Sequence, residues 1–169
     1  PKDGLVVLSG GVAPGLPDDF PQQVHAAVSE AGARLIVDTS KAALQHLITA
    51  PRRPLDMLRL DRSEIETALA RPMTTPAESA AVCAGMVTRG VARIVVAGHG
   101  ADGSVMATGT ERMFCRAPQV PVRSKVGAGD ALVGAFTLAL SRGAPPGEAL
   151  RWGVAAAAAT VSTEGTALC

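Results

Sequence analysis

Short, unbroken apolar runs alternate with helix-patterned stretches along most of this 169-residue chain. Leu5-Val6-Val7-Leu8-Ser9 empties into Gly10-Gly11, Leu35-Ile36-Val37 into Asp38, and the weaker run from Leu55 to Leu60 into Asp61. Ile94-Val95-Val96-Ala97 leads into a glycine-rich stretch, Gly98-His99-Gly100-Ala101-Asp102-Gly103. Runs that are apolar throughout, rather than alternating, are strands covered on both faces. Helix patterns are expected at about residues 21–31 (closed by Gly32), 41–47, 62–70 and 75–88. The last carries a start signature, with Thr75 as cap, Pro76 in the first helical position and Glu78 in the third. A hairpin or meander is expected near Val105 and 113–116, then a further β-like run at 120–124 before a helix through 131–140. Pro145-Pro146 announces a final helix to about residue 161. The alternation predicts an α/β fold, a mostly parallel sheet with helices on both faces.

In such sheets ligands sit beyond the carboxyl ends of the strands. Ser9, Asp38, Asp61, the loop at Gly98 and the stretch Gly127-Ala128-Gly129-Asp130 all fall at expected strand ends. Two glycines around one small residue, ahead of a helix, leave backbone N–H groups exposed at the positive end of the helix dipole. An anion pocket with a carboxylate beside it suits phosphoryl transfer to a hydroxyl: the carboxylate takes the proton, and the amides stabilise the transferring charge. Asp at a helix start is also an ordinary capping residue, and a short glycine motif before a helix is common, so the spacing leaves both readings open.

Composition narrows the partners. Net charge is +1, and the sixteen basic residues are scattered apart from Arg52-Arg53, so no stripe for nucleic acid is expected. The four aromatics (Phe20, Phe114, Phe136 and Trp152) offer no stacking platform, and an adenine would lie between aliphatic side chains. No apolar run has the length of a membrane span, and the start shows no signal-peptide pattern, so a cytoplasmic protein is expected. Cys83, Cys115 and Cys169 suit neither a zinc site nor a disulfide framework and read as thiols in a reducing compartment. His99 reads as a solvated loop residue, Trp152 as packing the last helix onto the sheet, and Asp102 as a turn residue or a second polar group near the loop. His25 and His46 carry no partner spacing.

The segment from Val122 to Asp130 resembles the second signature of the PfkB-type, ribokinase-like carbohydrate kinases. Other collinear segments agree. Val7 to Gly15 looks like the family's Ser-Gly-Ser-x-Pro-Pro-Gly, and Ala33 to Asp38 like its central strand. Arg59 to Glu64 falls on its Lys-Pro-Asn-x-x-Glu, and Gly98 to Gly103 on its Ser-Leu-Gly-x-x-Gly nucleotide loop. The end of the chain looks most like the minor-type bacterial 6-phosphofructokinases. The resemblance implies Asp130 as catalytic base with Gly127, Ala128 and Gly129 as anion hole. It implies ATP contacts at Arg59, Asp61, Gly98, Gly100, Asp102, Gly103 and Val122, and sugar-phosphate contacts at Ser9 and Gly11. Glu64 would help hold Mg2+ through water, though it is equally an ordinary helix-N-terminal acid. Ser124, Val126, Thr160, Thr163, Gly165 and Ala167 match a monovalent-cation (K+) site of some members.

The chain departs from the family at Lys125 for Thr, Arg59-Leu60 for Lys-Pro, Asp61 for Asn, Gly98-His99 for Ser-Leu and Gly11 for Ser. Asp61 adds a negative charge near the nucleotide phosphates, which a metal ion would offset. Family members carry nearly as much chain again before the Ser9 segment, supplying the first strands, the sugar-recognising residues and a β lid often used for homodimerisation. The chain is therefore expected to be the C-terminal part of a single kinase domain, which alone would self-associate and not phosphorylate sugars. The implied activity is ATP-dependent phosphorylation of fructose 6-phosphate, with fructose 1-phosphate or tagatose 6-phosphate as other acceptors. The alternative from another class is a non-catalytic nucleotide-binding remnant.

Overall fold

A computed structural model describes residues 3–164. Six strands, β1 (Leu5–Ser9), β2 (Arg34–Asp38), β3 (Leu55–Asp61), β4 (Ala92–Gly98), β5 (Gly103–Ala107) and β6 (Arg112–Arg116), form one sheet in sequence order. β1 to β4 run parallel, and β5 and β6 are added antiparallel, β5 on β4 and β6 on β5. Helices α1 (Phe20–Glu30), α2 (Lys41–Thr49), α3 (Arg62–Leu69) and α4 (Pro76–Thr88) make the crossovers, and α5 (Ala128–Ser141) and α6 (Pro146–Val161) follow the last strand. The mostly parallel α/β architecture agrees with the expectation, and the Leu55 run proves a full strand between β2 and β4.

The absence of in–out alternation has the cause given above. Leu35 and Val37 enter one apolar cluster with Leu44, Leu47 and Ile65, while Ile36 enters a second with Leu132, Phe136 and Leu150. α1 to α4 therefore cover one face of the sheet and α5 and α6 the other. β1 is the exception: it forms an edge, and Val7 in its middle is exposed. The open edge carries unpaired backbone groups, the feature behind the expected self-association of the chain.

The local signals for α4 work as read. The Thr75 side chain accepts from the Glu78 N–H, and the Glu78 carboxylate accepts from the Thr75 N–H, a reciprocal cap with Pro76 behind it. α3 has the same device, built from Asp61 and Glu64.

One expected strand is absent. Residues 120–124 carry no strand; Pro121 lacks a ladder donor, and the Arg123 and Ser124 N–H groups both go to the Val161 carbonyl at the end of α6. The segment after β6 is an irregular crossover between the sheet and α5, so the turn at Gly127 does not stand at a strand end. Trp152 is also placed differently from expectation. Its ring lies on the outer surface, partly exposed and 5.8 Å from the Arg142 guanidinium, because the sheet-facing positions of α6 are taken by Ala149, Leu150 and Val154.

Candidate active site

The carboxyl ends of β1 to β4 and the N-terminus of α5 meet at one end of the sheet. Gly127 caps α5 at φ 84°, a left-handed conformation that costs a residue with a side chain strain, and it turns the crossover into the helix. No side chain caps this helix, and the Gly129 and Asp130 N–H groups have no partner among the described residues. Asp130 is therefore not the cap. Its Oδ1 accepts instead from the Ser9 hydroxyl, 2.9 Å away at the end of β1. Two free amides and this carboxylate therefore stand side by side in the first turn of α5.

Arg59 lies beneath this turn. Its guanidinium sits so close to Gly129 that a Cβ there would meet Cζ and Nη1 at 3.0 Å and Nη2 at 3.1 Å. Nη1 also contacts both Asp38 oxygens, at 3.3 and 3.5 Å, in a largely buried pair. The Arg59 Nε is buried without a hydrogen-bond partner. One cation thus lies among four carboxylates, Asp38, Asp61, Glu64 and Asp130, and burial sets the tone of the cluster. Burial raises the Asp38 carboxyl above its usual range, Arg59 pulls it back down, and Asp130 and Asp61 push it further up. Glu64 is raised as well, first by burial and then by the neighbouring Asp61, against the hydrogen bond from the Asp61 N–H. Asp38 was legible as a strand end, but its bond to Arg59 was not, since the two stand 21 residues apart on neighbouring strands.

Asp61 and Glu64 are held by the α3 cap: Asp61 Oδ1 accepts from the Glu64 N–H and the Ser63 hydroxyl, and Glu64 Oε2 accepts from the Asp61 N–H. Each keeps a second oxygen free of those bonds. Among the described residues no group of three or more His, Cys, Asp or Glu side chains could hold a metal by itself. That donor set fits Mg2+, which keeps several waters and takes one or two carboxylates with substrate phosphates.

The glycine-rich loop is a single 3-10 turn (Gly100–Asp102) that joins β4 to β5, closed by the His99 N–H on the Gly103 carbonyl at 2.8 Å. Gly98 flanks the Arg59 guanidinium, 3.6 Å from a Cβ placed there, and Asp102 lies in the turn, its carbonyl accepting from Ala117. At Gly103 the backbone itself explains the residue. φ is 126°, and a Cβ would fall 2.0 Å from the Cys115 carbonyl oxygen. His99 is buried rather than solvated, with its Nε2 unpartnered, and burial first, then the nearby Arg62, lower its pKa against Asp102 and Glu66. Arg62 and Glu66 of α3 are among its charged neighbours, a proximity that no local pattern announces.

Gly11 lies beside the N-terminus of α2, where a Cβ would be 3.9 Å from Ser40 Oγ. Val122 and Val126 are exposed on the crossover. The Ser124 N–H reaches the Val161 carbonyl, and Thr163 Oγ1 donates to the Thr160 carbonyl, so the two segments read as a cation site do meet. Arg123 and Glu164 join them by an ion pair. Gly165 and Ala167 lie outside the described residues.

The ends of the parallel strands thus lie beside a helix N-terminus and a carboxylate in an α/β fold. A family profile of pfkB family carbohydrate kinases matches residues 2–169, and the chain belongs to that family. An ATP-dependent 6-phosphofructokinase isozyme 2 from Mycobacterium tuberculosis is 36% identical over 166 residues, which are 98% of this chain and 48% of that protein. A 1-phosphofructokinase from Xanthomonas campestris pv. campestris is 35% identical over 80% of this chain and 42% of its own length. The crystal structure of phosphofructokinase-2 from Escherichia coli in complex with potassium superposes with a TM-score of 0.89 at 31% identity, covering 99% of this chain and 54% of that one. The chain spans about half the length of the curated relatives it matches.

Proposed function

We propose that this chain carries the phosphoryl-transfer half of an ATP-dependent sugar-phosphate kinase, with fructose 6-phosphate as acceptor at its 1-hydroxyl. The observation that carries the reading is Asp130 in the first turn of α5, with unpaired amides beside it and one oxygen uncommitted. In this reading Oδ2 takes the acceptor proton as the new P–O bond forms, and the turn at Gly127, Ala128 and Gly129 stabilises the charge on the transferring group. It does so through the free Gly129 and Asp130 amides first, since the Ala128 N–H faces the Lys125 carbonyl at 3.5 Å. Arg59 beneath Gly129 adds a fixed positive charge at the same point. Val122 and Val126 offer an aliphatic surface for the adenine, and the turn at Gly98, Gly100 and Asp102 borders the nucleotide. Glu64, with Asp61 beside it, would hold Mg2+ through water, and the metal would neutralise charge on the phosphates. Ser9 and Gly11 would border the acceptor. The whole protein would be a cytoplasmic homodimer, its sugar-recognising residues and lid coming from sequence ahead of Ser9.

The 1-phosphofructokinases among the relatives make fructose 1-phosphate the second acceptor to consider. ADP release by the full-length protein, compared across fructose 6-phosphate, fructose 1-phosphate and tagatose 6-phosphate, tests the choice. The fructose 6-phosphate reading requires the highest kcat/KM for that sugar, and ATP binding with no ADP release on any of the three would leave the nucleotide-binding remnant.

Two further results are expected. Glu64→Gln keeps an acceptor for the Asp61 N–H, so the α3 cap should survive while half-saturation of activity moves to higher Mg2+. An unchanged Mg2+ dependence would remove the metal role and leave Glu64 a cap. Second, the carbonyl end of α6 against the Ser124 segment should favour a bound cation, so activity should be higher in potassium than in sodium. Equal activity in potassium, sodium and a bulky organic cation would contradict that site.

A further inference from the structure

We propose that Ser9 is a positioning residue for Asp130, aiming its free oxygen at the acceptor hydroxyl; the inference rests on the reading of Asp130 as proton acceptor. Both partners stand on rigid supports. Ser9 closes β1 in register with Asp38, and the next N–H, that of Gly10, donates to the Asp38 carbonyl at 2.9 Å. Asp130 is the third residue of α5, a helix anchored on the sheet by Leu132, Val133 and Phe136. The 2.9 Å bond between them joins residues 121 positions apart.

The last torsion of an aspartate is broad and roughly two-fold, so the side chain alone selects no orientation. Ser9 is the one side-chain hydrogen-bond partner of Asp130 among the described residues. By donating to Oδ1 it holds the carboxylate in one orientation and leaves Oδ2 without a side-chain partner among the described residues. A serine hydroxyl has a single proton to give. Committed to Asp130, that proton is not available to a sugar phosphate, so Ser9 should act on turnover and not on affinity.

The test uses the full-length protein with ATP and fructose 6-phosphate. Ser9→Ala is expected to lower kcat about 10- to 100-fold, the size of a small misplacement of a reacting group, with the KM for the sugar phosphate changed by less than about threefold. Ser9→Thr keeps the hydroxyl and should recover most of the loss. In an Asp130→Asn background Ser9→Ala should add no further loss, because groups that act as a unit are not additive. Both residues are exposed, so the variants should melt with the wild type. A raised KM at unchanged kcat would make Ser9 a substrate contact and overturn the proposal. Unchanged kinetics, or a loss that adds in full to that of Asp130→Asn, would overturn it too. Full turnover by Asp130→Asn alone would instead bring down the premise, the reading of Asp130 as base.

Discussion

Asp130→Asn should lower kcat of the full-length protein by at least about 10²–10⁴, the range for loss of a general base, while ATP affinity stays close to wild type. The substitution keeps the size of the side chain and an oxygen to accept from Ser9, so the 2.9 Å contact to β1 can persist. It removes the charge and the basic oxygen. The amides of the α5 first turn and the Arg59 guanidinium remain, so the nucleotide phosphates keep their electrostatic surroundings. A loss confined to KM would mean that Asp130 binds the acceptor without taking its proton. Single-turnover kinetics beside nucleotide titration separates the two.

The second large effect concerns stability. Gly103→Ala forces a Cβ against three backbone atoms, the Cys115 oxygen at 2.0 Å, the Ala117 nitrogen at 2.8 Å and the Arg116 Cα at 2.9 Å. None of these is the end of a flexible side chain that could swing away. Overpacking costs about 1–3 kcal/mol, and a disfavoured φ another ~1–3 kcal/mol. Against a typical net stability of about 5–15 kcal/mol, the sum is a large fraction of what keeps a domain folded. Gly100→Ala is the control: its φ is 60°, and nothing lies within 4 Å of the added Cβ. It should cost only the strain of its backbone, about 1–3 kcal/mol. Urea denaturation of the two variants should therefore separate them clearly. Equal midpoints would mean that the β5–β6 pairing yields to the new methyl group, and that Gly103 is not fixed by packing.

Most of the architecture could be read from the chain because its signals are local. Runs such as Leu35 to Val37 are apolar at every position since both sheet faces are covered, and Thr75 and Glu78 announce their helix within four residues. Asp130 was legible for the same reason, since the glycines that shape its surroundings are its neighbours in sequence. Where the fold differs, a distant contact decided. The valines at 120 and 122 imitate a strand, but the backbone donors after Pro121 find the end of α6. His99 is buried near Arg62 and Glu66 of α3, and Trp152 faces outward because smaller residues occupy the inner side of α6. The Asp38–Arg59 pair and the Ser9–Asp130 bond have no signature in sequence, as each joins residues that only the sheet brings together.

The central claim is that Asp130 accepts a proton while the phosphoryl group passes directly from ATP to the sugar. A carboxylate beside an anion hole could instead take the phosphoryl group itself, forming an acyl phosphate that the sugar then attacks. The two routes differ at phosphorus, because each in-line displacement inverts it. The decisive measurement supplies the full-length protein with fructose 6-phosphate and ATP made chiral at the γ-phosphorus by oxygen isotopes, then determines the configuration in the fructose 1,6-bisphosphate formed. The account predicts inversion, from one displacement. Retention would mean two displacements and a phosphorylated enzyme, and would contradict the assignment of Asp130 as a base.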